Sequence, residues 1–519
     1  MMKLCTGVLL GGLVLLSADA KSIRNSKLNN NDLSLLKEQL KKELIAELKS
    51  EGYSISKSIG KEESIREEQG SYRVTEAETA SEEKKDWDEA KKQGKSGSSV
   101  AIKKGFIPIP GTESYIRPYG FANIKCAFTR HQNASGYASD LSVFPANVAH
   151  DDEGRRKKND YNFLASDSRI GLETFSIAKF DGKEYPLKTL FECDFSGGDD
   201  NSTTITNKYK LKVRHVYMTL GNFLAGLTTS TFIDPAAAAE INGPGVTGSS
   251  TKRVPQLRYV VNCNNVEVRY ALERVLTAYY YTKTTDSGDV VLKKKDSYSP
   301  KNSKKDDNKY HSSDILPAAV VAIKVKNENS HFGMAGVLRY LKVTNNTYYN
   351  ADKTVFRPSR TEKGLGFGAR LSGSYKFANK DSVFGSLTFG NGIGLFLADA
   401  EKSSVYMRGS GEFVEMELND SYGAVLGYRH FWTEKYNTRS TLVFGFTHLC
   451  QSKKLLRDLS KSVSYPEVNK NLFTANLNLL FDITNKFTCG FEFCHSMRKL
   501  TDGRKGTAQI LMFTSSISF

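Results

Sequence analysis

The chain has 519 residues and a mass of 57.7 kDa, with 73 Lys+Arg against 57 Asp+Glu, a formal charge of +16 and a pI near 9.2. Its mean hydropathy is −0.43, and beyond the N-terminus no uncharged apolar run approaches ~18 residues, which excludes a helical membrane protein. The 25 Tyr, 29 Phe and 41 Gly beside only 12 Pro leave two classes open: a soluble enzyme, or a transmembrane β-barrel whose alternating hydrophobicity cancels in any average.

At the start, Lys3 opens a short basic region, Val8 to Leu16 is apolar, and Ala18-Asp19-Ala20 supplies small residues for cleavage. This pattern predicts a secretory signal peptide over residues 1–20, so the mature chain is exported. Cys5 lies upstream of the apolar run and cannot be the acylated cysteine of a lipoprotein. Leu33, Leu36, Leu40, Leu44 and Leu48 then share one helical face, with Lys and Glu on the other. Their uneven spacing implies a stutter in a coiled-coil helix over 28–60, expected to self-associate in the periplasm. Residues 61–105 are charged, poor in apolar anchors and linker-like.

From residue 106 to Phe519 short alternating runs recur without a break. Sixteen strands are expected, beginning near Tyr115, Tyr161, Glu184, Tyr209, Asn222, Gln256, Asn265, Ile315, Phe332, Gly364, Ser382, Ser421, Thr438, Leu472, Lys486 and Gly506. Tight turn residues (Asp181-Gly182, Asn264-Asn265, Asn379-Lys380-Asp381, Thr484-Asn485-Lys486) alternate with long polar stretches such as His131 to Asp160, Thr282 to Ser313 and Ala398 to Asp420. That segregation marks an all-β transmembrane barrel of about sixteen antiparallel strands, in an even number, with its short turns periplasmic. In the last strand Leu511, Phe513, Ile517 and Phe519 share a face. Phe519 with Ile517 is the expected signal for the outer-membrane assembly machinery.

Strand parity assigns faces. With Leu257, Tyr259 and Val261 toward lipid, Arg258 points inward; with Val266, Val268 and Tyr270 outward, Glu267 and Arg269 point inward. The same argument places Arg169 and Glu173, Lys212 and Arg214, Arg339, Arg370 and Arg429 in the lumen, with Glu192 and Asp194 on the same inner surface. A cation on the lipid face near midplane would cost ~2–4 kcal/mol, which enforces the alternation. Cys489, Cys494 and His495 superficially resemble a metal cluster, but adjacent ones point to opposite faces of a strand. Lone thiols, no metal and no cofactor are expected.

These residues resemble the DcaP-like trimeric porins of Gram-negative bacteria. The likeness rests on IPIPGTESYIRPYGFANIK (Ile107 to Lys125), DSRIGLET (Asp167 to Thr174), LFECDFSGG (Leu190 to Gly198), VRHVYMTLGNFLAGLTTSTFIDP (Val213 to Pro235), VPQLRY (Val254 to Tyr259), GNGIG (Gly390 to Gly394) and GYRHFWT (Gly427 to Thr433). Their order and spacing over most of the chain carry it. The resemblance implies an N-terminal coiled coil, a homotrimer and an inward-folded third loop over about 229–255. Arg253 and Arg258 look like the family's basic constriction residues, faced by Asp234 and Glu240 on the loop. Thr229, where the family tends to an aromatic, and AAAAE at Ala236 to Glu240 depart from its pattern.

The function expected is passive diffusion of small hydrophilic solutes across the bacterial outer membrane, with small carboxylates or dicarboxylates preferred. The alternative is a structural anchor or adhesin barrel on a coiled-coil stalk that touches peptidoglycan. No enzyme is expected, because the eight histidines show no convincing partner pattern. GLGFG and GNGIG precede no predicted helix, as a phosphate loop requires. Nucleic acid is not an expected partner of an exported barrel despite the charge.

Overall fold

The computed structural model describes residues 105–130, 146, 148, 159–197, 210–243, 245–249, 252–275, 279–284, 290–295, 310–312, 316–345, 348–349, 356–357, 361–398, 400, 404–408, 415–460 and 467–519. The expected signal peptide, leucine-striped helix and linker up to residue 104 lie outside the described residues.

Alternation of apolar and polar side chains gives sixteen wall strands among the described residues. In chain order they are β1 Tyr115–Arg130, β2 in two pieces (Asn159–Leu164 and Arg169–Phe180), β3 Lys183–Asp194, β4 Lys212–Leu220, β5 Phe223–Thr229, β6 Arg253–Cys263, β7 Val266–Glu273 and β8 Ala318–Lys326. Then follow β9 Ser330–Asn345, β10 Thr361–Lys376, β11 Ser382–Asn391, β12 Asp420–Thr433, β13 Thr438–Cys450, β14 Asn469–Thr484, β15 Phe487–Leu500 and β16 Lys505–Ser518. Each pairs antiparallel with the next, and β16 returns to β1 in a register running from Phe121 opposite Ser518 to Arg130 opposite Gln509. The Phe519 N–H donates to the Gly120 carbonyl at 3.0 Å and extends that seam. Closure leaves no unpaired edge, which a membrane requires of β-structure.

Where β1 begins and β16 ends, the connections are tight. Asp181 and Gly182 both have positive φ, 51° and 69°, as a two-residue hairpin turn of the right twist needs. Asn264 and Lys380 sit in the same left-handed region. The other end carries the longer connections, with residues 501–504 the short exception.

Two connections turn inward. The described residues 230–243 and 245–249, between β5 and β6, cross the lumen to the opposite wall. Residues 392–398, after β11, follow them: Phe232 and Phe396 rings lie 5.1 Å apart, and both are buried with Val254, Ala271, Val320, Val337 and Ile393. This apolar plug sits inside the barrel, against the inward rows of β6 to β9. Above it, Tyr279–Thr284, Val290–Lys295, Val405–Arg408 and Glu415–Leu418 form a four-stranded sheet. Val405 and Met407 pack on Leu341 and Val343 of β9. A helix, Lys453–Ser460, seats Leu455 against Tyr406 and Val468.

Candidate functional site

The crossing loop is fastened at its root by polar residues that parity turns inward. Arg258 donates through Nε to Thr231 Oγ1 at 2.9 Å and through Nη2 to the Thr229 carbonyl at 2.8 Å. Gln256 Nε2 donates to the same carbonyl at 2.8 Å. Glu273 of β7 accepts the Ser230 hydroxyl and the Thr231 N–H, both at 2.6 Å. These ties leave Phe232 aimed into the apolar plug.

Asp234 comes next and reaches three strands. It accepts from His331 Nε2 at 2.7 Å and Ser372 Oγ at 2.5 Å, and pairs with Lys324 Nζ at 3.2 Å. A Cβ at Gly333 would lie 2.6 Å from both Asp234 Oδ2 and Ser372 Oγ, so glycine is what lets the loop approach. Burial alone would raise the Asp234 carboxyl. The His331 hydrogen bond and the Lys324 charge, with Ser372, outweigh it and hold the group well below the usual carboxylate range. Farther on, Glu240 sits between Arg439, at 2.8 Å, and Arg429, at 3.3 Å. Arg439 also binds Asp482 at 2.9 Å. Glu492 of β15 then accepts the N–H groups of Asn242 at 2.6 Å and Gly243 at 2.9 Å. Thr247 lies on Thr447 and Thr474, where a Cβ at Gly445 would approach the Thr247 carbonyl to 2.2 Å.

The loop therefore fills the side of the lumen walled by β7 to β15. Buried charges of this kind contribute little as pairs, because desolvation offsets attraction, but breaking one costs about 3–5 kcal/mol. The loop is held by partners that are expensive to remove.

The wall of β1 to β4 is different. Arg117 pairs with Glu173, Lys125 with Asp167 and Arg214 with Asp194, while Arg169 reaches Glu192 at 3.0 Å. The Arg169 side chain keeps 25% of its exposure and its partner Glu192 none; for Arg214 and Asp194 the values are 19% and 1%. In these two pairs the guanidinium is the more exposed partner; in Lys125–Asp167 the order is reversed, with the carboxylate the more exposed. Arg253, half-buried at the loop's exit, donates through Nε to His215 Nε2 at 3.1 Å. That contact requires the unprotonated Nε2, so His215 presents its other ring nitrogen to Thr228 Oγ1, 2.9 Å away.

Of the residues singled out from sequence, Arg169, Arg214 and Arg253 gather on this side, and Arg429 is half-buried beside Glu240. Arg258, Arg269, Arg339 and Arg370 point inward but are buried behind the two inner segments. Arg269 pairs with Glu267 at 2.6 Å, and Arg339 donates to the Gly392 carbonyl at 2.8 Å. Asp234 and Glu240 face Lys324, His331, Arg429 and Arg439 rather than Arg253 and Arg258. Lys212 stands exposed at the start of β4. Arg117, Lys324, Arg439, Glu492 and Arg498, not named from sequence, belong to the same inward rows. Parity in YIRPYGF, TRSTLVF or CGFEFCHSMRK would have found several of them. Phe519 and Ile517 both project outward, 66% and 53% exposed. The six described cysteines form no disulfide, and no cluster of metal-ligating side chains occurs among the described residues.

With this geometry in view, a family model described as DcaP outer membrane protein matches residues 95–277, bearing out the resemblance read from the sequence. Among solved structures, the outer membrane channel DcaP of Acinetobacter baumannii is similar, with a TM-score of 0.58 and 18% identity over 78% of this chain and 97% of that one. OmpT of Vibrio cholerae gives 0.44 and 9% over 79% and 99%. An anion-selective porin from Comamonas acidovorans gives 0.45 and 10% over 78% and 100%. No curated protein matches the sequence. The closed barrel and the family model together indicate an outer-membrane protein with a channel fold.

Proposed function

We propose that the protein is an outer-membrane diffusion porin for small hydrophilic solutes, that it favours anions such as small carboxylates and dicarboxylates, and that it works as a homotrimer. The observation that carries the reading is the unequal exposure within two ion pairs of β2 to β4: in Arg169–Glu192 and Arg214–Asp194 the cation faces water and the carboxylate does not. A solute passing there meets guanidinium N–H groups whose fork matches a carboxylate and whose charge is permanent. At ~5 Å and an effective dielectric near 20, one such charge acts with ~3 kcal/mol on a unit anion before desolvation is subtracted. Several together, even after that subtraction, bias permeation without binding the solute so tightly that it cannot leave.

Conductance of the purified protein in planar bilayers tests the pore itself. Stepwise channel openings are expected, and a barrel that inserts without conducting would favour an anchor. Trimerisation is argued from the leucine stripe and the family resemblance, with contacts between barrel walls supplying most of the stability, since so short a coil is marginal alone. Deleting residues 21–99 should leave a trimeric, heat-modifiable barrel; recovery of monomers alone would count against it. Phe519→Asp places a charge on the lipid-facing row beside the seam and should abolish outer-membrane assembly, read as loss of the heat-modifiable band.

A further inference from the structure

The lining of a small cavity between the crossing loop and the wall is oversupplied with donors. It measures about 10 Å³, the space of about one water-sized particle. Its walls include Thr231, Asp234, Lys324, Gly333, Arg370 and Ser372. Arg370 is 2% exposed. Its Nη2 donates to Ser386 Oγ at 3.1 Å, but Nε and Nη1 have no hydrogen-bond partner among the described residues.

The carboxylate that shares the cavity with them is already engaged. Asp234 receives His331 Nε2, Ser372 Oγ and the Ala236 N–H, and pairs with Lys324. A carboxylate offers about four lone-pair sites, so little acceptor capacity is left for Arg370, or for the two hydrogens of a water. Charge points the same way. In the lining Lys324 and Arg370 stand against Asp234, while Arg258 and Glu273 offset one another at the loop root. Two cations face one carboxylate.

We propose that this junction binds one small monovalent anion, a halide such as chloride, between Arg370 Nε and Nη1 and the loop, and that the ion locks the loop to β8, β9 and β10. A halide accepts from several donors at once and donates to none, which is what the lining asks for, and its single charge balances the excess. The inference does not rest on the proposed anion permeation: this cavity lies behind the loop, among side chains buried away from the water-facing arginines.

Crystals of the full chain soaked in bromide provide the direct test. An anomalous difference peak within hydrogen-bonding reach of Arg370 Nε and Nη1 is expected, and a water without anomalous signal at that place would overturn the proposal. In solution, the melting midpoint of the purified protein should be several degrees higher in chloride or bromide than in gluconate at equal ionic strength. The difference should vanish in Arg370→Met and shrink in Arg370→Lys. Equal midpoints for wild type in all three salts would also overturn it. The bromide map uses the unaltered protein, so a failure of either variant to fold leaves the question decidable. Loss of anion preference in the channel with the bromide peak intact would sink only the transport reading.

Discussion

The two sides of one barrel wall use the same residue type for different ends. On β7 to β15, arginines such as Arg370 and Arg439 are covered by the crossing loop, and Arg439 holds it through Glu240. On β2 and β4, Arg169 and Arg214 lie over buried carboxylates and face water. Inward direction is common to both sets. What separates them is whether a second segment of chain lies on top, and only the uncovered set can act on a passing solute.

The largest effect should come from breaking the covered side. Glu240→Ala strips Arg439 and Arg429 of their shared partner and should cost about 3 kcal/mol, the usual scale for leaving a buried charge unpaired. Thermal unfolding followed by heat-modifiable mobility measures it. Single-channel conductance should rise as the loop loosens, and unchanged conductance with unchanged stability would place Glu240 outside the clasp.

Arg258→Ser should cost less, roughly 2 kcal/mol, through loss of its charged hydrogen bonds to Thr229 and Thr231. By contrast, Arg253→Ser removes a half-buried group and should change stability by under about 1 kcal/mol. Denaturation curves of the two variants side by side would sharpen the contrast; equal losses would blur it.

A tie outside both sides gives a small effect with a pH signature. Asp381, in the turn before β11, accepts from Tyr428 Oη at 2.6 Å, Phe431 N–H at 2.8 Å and His430 Nδ1 at 3.0 Å. Burial alone would raise its carboxyl, yet these hydrogen bonds hold it well below the usual range. A depressed carboxyl contributes stability above its unfolded value of ~4, and that contribution fades as pH falls toward the folded value. Asp381→Asn should therefore lose about 1 kcal/mol, with a constant gap to wild type from pH 8 to 5 that narrows below pH ~4. A gap that stayed constant down to pH ~2 would contradict it.

Much of the wall was legible because lipid enforces alternation. The strand starts expected near Tyr115, Ser382 and Thr438 coincide with β1, β11 and β13, and Arg258 and Arg269 point inward as parity requires. Parity fails at the register shift between Glu192 and Cys193, which turns Arg214 and His215 to the same side although they are adjacent. Nothing local could reveal the partner of Glu240, because Arg439 is 199 residues away. Nor does parity say which inward arginines a loop will cover. The covering segment at 392–398 carried a usable signal, an apolar run Ile393 to Leu397 inside a connection, which reads as buried rather than external.

The division of the wall into a bracing side and a passage side is tested most directly by reversal potential under a salt gradient, with wild type, Arg253→Ser and Arg258→Ser compared in planar bilayers. The account predicts anion preference in the wild type, a several-fold fall in the anion-to-cation permeability ratio for Arg253→Ser, and a ratio close to wild type for Arg258→Ser. A wild-type channel that favours cations, or an Arg258 variant that shifts the ratio as far as the Arg253 variant, would contradict it.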